Sequence, residues 1–193
     1  MSVAPTKPGG PSFAASSQRM SCLLSLPVLD TLVQPIMPDP NHVKIGFYLE
    51  QDEDGWPPAT RENMWAVDLG DGRYRIDNIP FYVRGISNGD LVAAITEEDG
   101  RLVFSELIEA SSNSTFLLIV SNEDEVSDVR KMFRDLGCPS GLASHGLISL
   151  HIPGSVTMKP VATLIEQGEE DGRWSFEEGV LRHPNSDFHY LPQ

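Results

Sequence analysis

The chain predicts an α+β fold, with a small antiparallel β-barrel or curled sheet followed by a β-α-β-α-β layer, a ferredoxin-like variant. Three observations predict it. Apolar residues alternate with a period of two from Val43 onward, in short runs. Asp71-Gly72 and Asp99-Gly100 stand between such runs, as tight hairpin turns do. After Val120 the apolar period lengthens to that of a helix.

Residues 1–40 differ in composition from the rest. "APTKPGGPSFAASS" has too little apolar surface to offset the entropy of ordering it, and "LPVLDTLVQPIMPDP" is interrupted by four prolines. A disordered extension is expected there, with Met20 and Met37 as alternative starts. The β-rich unit is expected over residues 41–112. "HVKIGFYLE" puts Val43, Ile45, Phe47 and Leu49 on one strand face. "QDEDGWPP" is a turn, "ENMWAVDLG" and "GRYRIDNIP" are two further strands, and "DLVAAITEEDGRLVFSELIEA" is a strand, a turn and a strand.

An α+β unit is expected over residues 113–183, opening with the strand "STFLLIV". In "SNEDEVSDVRKMFRDLGC", Val126, Val129, Phe133 and Leu136 form one helical stripe. Asn122 and Glu125 have the spacing of a capping box, and Gly137 supplies the stop. "HGLISLHIP" is the next strand. "KPVATLIEQG" is a second helix, with Pro160 in its first turn and Gly168 at its end. "GRWSFEEGVL" is the closing strand, and residues 184–193 are a tail.

Charge limits the partners. Against 14 basic residues stand 28 acidic ones, a formal charge of −14. Such a field repels phosphate backbones and anionic membranes, so neither is an expected partner, whereas a basic protein is. Two cysteines, Cys22 and Cys138, make no disulfide framework and fit a reducing cytoplasm. No apolar run reaches the roughly 18 residues of a membrane span.

The glycine-dense stretches "GDGRYR" and "GISNGD" invite a phosphate-cradle reading, but each leads into a strand and not into a helix. They are turns, and no cofactor is expected. Cys138 and His145 are the candidate nucleophile and base, a pairing that needs contact in space and a third, orienting group. His145 and His151 flank one strand, about 20 Å apart if extended, too far to share a metal. No metal site is expected, and His183 and His189 are expected in solvent. The acidic runs at 52–54, 97–99 and 169–171 read as solvated turns, and with Glu177 and Glu178 they would make an acidic docking face if they cluster on one side of the fold. Trp65, Trp174, Tyr74, Phe81 and Tyr82 are expected in the core. Trp56, in a turn beside two prolines, is a candidate binding anchor if exposed and otherwise a lid over the barrel.

The run "NMWAVDLGDGRYRIDNIPFYVRGISNGDLVAAITEEDGRLVFSELIEASSNST" resembles a bacterial family catalogued as domain of unknown function 4265. The shared features are the Trp, the GDGRYR hairpin, N-I-P-F, the GI-x-x-GD turn, the EEDGRLVF hairpin and the Ser/Thr-rich end. "GRWSFEEGVL" matches the family's closing segment, so the resemblance covers about residues 43–182. The family usually carries Gly-His within the Ser/Thr-rich stretch, where this chain has Ser112-Asn113. The resemblance implies a domain and names no activity.

Two functions are compatible with these features. One is a non-catalytic acidic interaction module, an immunity or regulatory protein for a basic partner. The other is a small-molecule enzyme or ligand-binding protein using the cleft between the two units, with Asn78, Arg84, Asp90, Ser114 and His145 converging there.

Overall fold

In the computed structural model, which describes residues 41–143 and 146–183, an odd-numbered meander closes on itself. The expected extension over residues 1–40, the tail over 184–193 and His145 lie outside the described residues. The strands β1 (His42–Tyr48), β2 (Arg61–Asp68), β3 (Arg73–Ile76), β4 (Leu91–Thr96) and β5 (Leu102–Glu109) form a closed barrel. Consecutive strands are antiparallel, so β5 returns in the direction of β1. The closing pair is therefore parallel, matching Ile45 with Leu102 and Gly46 with Val103. Two register shifts in the β4–β5 pair add the local twist a narrow barrel needs. The curled antiparallel sheet expected from the sequence is present.

The glycines of "GDGRYR" form a turn. Asp71 and Gly72 have φ of 56° and 72°, and the Arg73 amide donates to the Gly70 carbonyl at 3.1 Å. Positive φ at both central residues matches the twist of the flanking strands. Alternation then fills the barrel with Ile45, Phe47, Met64, Ala66, Tyr74, Ile76 and Val92. Trp65 departs from its expected place in the core. It lies between Met64 and Ala66, on the outer face of β2, 41% exposed, with the Lys44 ammonium 4.8 Å from the ring centroid.

The second half runs β6 (Ser114–Val120), α1 (Val126–Asp135), β7 (Ser140–Leu142), β8 (Leu147–Ile152), α2 (Met158–Glu170) and β9 (Trp174–Val180). Its sheet has the order β7-β8-β6-β9, with every neighbouring pair antiparallel. The expected β-α-β-α-β order is thus corrected to β-α-β-β-α-β. The additional strand, β7, is three residues of "SGL" held by pairing with β8, a tertiary cause with no local pattern.

A 3₁₀ turn, Glu123–Glu125, leads into α1, and the Asn122 side chain accepts the Asp124 amide at 3.2 Å. Only half of the expected capping box forms, since the Asn122 amide reaches the Glu125 carboxylate at 3.4 Å through side chains alone. Gly137, at φ 86°, ends the helix. Gly168 lies inside α2 and does not end it. The Trp174 ring rests on it: a Cβ there would stand 1.8 Å from the ring, and the indole N–H donates to the Ile165 carbonyl at 3.0 Å.

Phe116, Leu118, Ile148, Leu150 and Ile152 face both helices across one core. The opposite sheet face meets the barrel's long β3–β4 connection. There Ser87 and Thr115 share a hydroxyl bond at 2.8 Å, and the Ser149 hydroxyl donates to the Pro80 carbonyl. The sheet lies between the helices on one side and a barrel loop on the other. Among the described residues no helix is long and apolar enough to cross a membrane.

Candidate functional site

A carboxylate shapes the loop that forms the site. Glu62 on β2 accepts the backbone amides of Phe81 and Tyr82, both at 2.8 Å, and of Val83 at 3.0 Å. With those three donors satisfied, residues Tyr82 to Ile86 form one wall of a groove of about 660 Å³. Phe47, Tyr48, Trp56 and Phe104 contribute aromatic surface from the barrel, and Glu177 reaches in from β9. The groove is therefore lined from both halves of the fold.

Trp56 is held in place by its turn. Asp52 accepts the Trp56 amide at 2.8 Å and donates its own amide to the Trp56 carbonyl at 2.7 Å. The Gln51 side chain donates to the Pro57 carbonyl at 2.8 Å. Trp56 remains 37% exposed and meets Tyr82 edge to face, with centroids 5.6 Å apart and planes at 82°. Two perpendicular aromatic walls make a corner, and the carboxylates of Glu50, Asp52 and Glu177 line the same groove. Aromatic faces with carboxylates beside them complement a cation. Arg84 crosses the groove to pair with Glu177, the two side chains being 38% and 50% exposed. At that exposure the pair is worth about 0–1 kcal/mol. At the neighbouring edge, the Tyr48 hydroxyl donates to Glu97 at 2.6 Å, a bond that raises its pKa.

Asp90 and Ser114 belong to a different place, the buried junction of barrel and sheet. Asp90 is fully buried and accepts the amides of Ser87 and Ser111, each at 2.8 Å, as well as the Arg182 guanidinium. Arg182 also donates to the Gly85 carbonyl at 2.6 Å. Its backbone amide donates to the Ser114 hydroxyl at 2.9 Å. That hydroxyl lies 2.8 Å from His183 Nδ1, while His183 Nε2 lies 3.0 Å from the Pro153 carbonyl. A carbonyl only accepts, so in the neutral ring Nε2 carries the proton and Nδ1 accepts from Ser114. His183, expected in solvent, is buried in this clasp. Asn113 adds a further tie, donating to the Asn88 carbonyl at 2.7 Å and accepting the Gly154 amide at 2.9 Å. Glycines and serines of "GISNGD" and "SSNST" thus hold two sheets together.

The remaining candidates lie apart. Asn78 is half-buried and donates to the adjacent Ile79 carbonyl at 3.3 Å, away from the groove. Cys138 is wholly buried in the helix-side core, where burial pushes its thiol up to about 11 and keeps it protonated. His151 Nδ1 is buried without a hydrogen-bond partner among the described residues. Burial, with His183 nearby, lowers its pKa. Among the described residues no group of three or more His, Cys, Asp and Glu is arranged to hold a metal. Sequence reasoning named Trp56, Arg84, Asp90 and Ser114, set Glu177 among the acidic runs and His183 in solvent, and gave no role to Glu62 or Arg182. None of the last four has a local signal, because each acts on a partner distant in sequence.

Residues 62–176 match the family model described as Domain of unknown function (DUF4265), and the chain belongs to that family. The match runs from β2 into β9 and so includes both halves of the fold. No curated protein matches the sequence. Among solved structures, the chain is similar to one titled "Novel crystal structure of a hypothetical protein from Neisseria gonorrhoeae". Identity is 20%, the alignment covers 74% of this chain and 98% of that one, and the TM-score is 0.59. At that identity the likeness is one of fold.

Proposed function

We propose that this DUF4265 member is a non-catalytic interaction module that takes a basic protein partner at the Trp56 groove, as an immunity or regulatory protein does. The observation that carries the reading is Trp56, a large aromatic whose backbone is held by its own turn and yet 37% exposed beside carboxylates. Pre-positioned Trp and Tyr side chains are the anchors that dominate many protein interfaces. The formal charge of −14 supports the choice of a basic partner, since it steers cations toward the surface. A cytoplasmic setting is part of the proposal and rests on the cysteine usage. The element order β-α-β-β-α-β supports reading the second layer as ferredoxin-like.

A small-molecule enzyme or ligand-binding protein using the same groove is the second reading, favoured by a lining drawn from both halves of the fold. Of the residues expected to converge in that cleft, Arg84 alone among the described ones lines it.

The test is a titration of the full chain with a dodecapeptide of alternating arginine and glycine. Expected is saturable binding that falls steeply between about 50 and about 500 mM salt. Trp56→Ala is expected to weaken binding roughly tenfold or more while the far-UV spectrum stays unchanged. Binding that is indifferent to Trp56 overturns the proposal.

A further inference from the structure

We infer that Arg84 is an internal stand-in for an arginine of the partner, occupying Glu177 until the partner's guanidinium displaces it. The inference rests on the reading of the groove as a site for a basic protein.

Three features of the groove lead to it. Among the described lining residues Arg84 is the only cation, set among Glu50, Asp52 and Glu177. Its pair with Glu177 joins the two halves of the fold across the groove, and both side chains are solvent-accessible enough to exchange. The perpendicular Trp56 and Tyr82 rings line the same groove, so a guanidinium arriving at Glu177 has aromatic faces to stack on. Arginine fits this setting better than lysine. Its planar fork pairs with a carboxylate through two parallel bonds and stacks on rings, whereas a lysine ammonium is a strongly hydrated point charge.

Displacement has a signature that ordinary contact lacks. A residue that merely lines a binding surface weakens binding when truncated. An internal competitor strengthens it, and only while the contested carboxylate is present.

The experiment uses the full chain and three end-capped tripeptides, glycine-X-glycine, with X as arginine, lysine or citrulline, followed by the Trp56 indole signal in NMR spectra. Arginine is expected to bind more tightly than lysine, and citrulline to bind least. Arg84→Gln is expected to raise affinity for the arginine peptide roughly threefold to tenfold, and Glu177→Gln to lower it by a similar factor. In the Glu177→Gln background the gain from Arg84→Gln should vanish, the non-additivity expected of coupled groups. Both side chains are exposed, and an unchanged dispersed spectrum establishes that each variant is folded.

An Arg84→Gln variant that binds no more tightly than the parent overturns the inference. So does an equal gain in both backgrounds, which bulk charge alone explains. The same holds if no arginine tripeptide binds even that variant at about 10 mM, weaker than any useful anchor. Each of these results leaves the basic-partner reading intact if the dodecapeptide still binds through Trp56. Failure of the dodecapeptide itself removes both.

Discussion

Two ion pairs tie the β3–β4 connection to the far end of the sheet, each an arginine against a carboxylate. Arg84 reaches from the loop to Glu177 on β9, whereas Arg182, just beyond β9, reaches back to Asp90. The chemistry is the same and the surroundings are opposite. The first pair is 38% and 50% exposed, the second 14% and 0%. Water screens the first and competes for both partners, so the pair is exchangeable. Around Asp90 water is replaced by the Ser87 and Ser111 amides as well as by Arg182. Such a carboxylate is costly to bury and still more costly to leave half-satisfied, so this pair is structural. The contrast separates an ion pair open to water from one closed off by the fold.

The strongest attempt to break this contrast is Asp90→Ala. It leaves the Arg182 guanidinium and two amides without their acceptor, and a loss of about 3–5 kcal/mol in urea unfolding is expected. Replacing Asp90 and Arg182 together by apolar residues will not restore stability, because the buried Ser87 amide and the half-buried Ser111 amide remain without their acceptor. A measured loss below about 1 kcal/mol would place the junction pair in the same class as the groove pair. Next in size is Glu62→Ala. Three amides lose their acceptor at a half-buried site, and about 1–3 kcal/mol is expected. Its mark is local, with faster amide exchange at Phe81–Val83 and unchanged protection at Ser111. Equal acceleration at both would show that groove wall and junction open as one unit.

The residues that carry the contrast differ in how far the sequence reveals them. Hairpins at Asp71-Gly72 and Asp99-Gly100 were legible because the turn residues themselves accept positive φ, which Asp71, Gly72 and Gly100 adopt. The α1 stripe of Val126, Val129 and Phe133 was legible for the same local reason. Gly168 misled, since a glycine near the end of a helical pattern signals a stop. Its actual role is to admit the ring of Trp174, which only packing reveals. Strand β7 was hidden because its three residues form a strand only against β8. At the site, Trp56 stood out because two prolines fix it in a turn. Arg84 and Asp90 were expected to converge in one cleft with Asn78, Ser114 and His145, and the fold assigns these two to groove and junction. Arg182 meets Asp90 across 92 positions, a distance no local pattern records.

A smaller effect concerns the histidine that borders the junction. Burial, then the nearby His183, lowers the His151 pKa from its ordinary 6.5, while the unfolded chain keeps the ordinary value. Above about pH 6.5 both states are neutral there and the group contributes nothing to pH dependence. As the pH falls below that point the unfolded state takes up the proton first, so stability declines until the folded pKa is passed. Urea midpoints near about pH 7.5 and pH 5 will record the decline, and His151→Gln should flatten its share. An undiminished slope in that variant would assign the pH dependence to other groups.

The smallest stability effect belongs to the exposed pair and sharpens the contrast most. Arg84→Gln is expected to change unfolding free energy by less than about 1 kcal/mol, with the remaining cost lowered further by added salt. Glu177→Gln should do the same, and the double variant should show a coupling of no more than a few tenths of a kcal/mol. Near-zero stability coupling together with strong coupling in peptide binding is the combination that a displaceable pair requires. A stability coupling of about 2 kcal/mol or more would mean that the groove pair is a second structural clasp, and that no partner could open it cheaply.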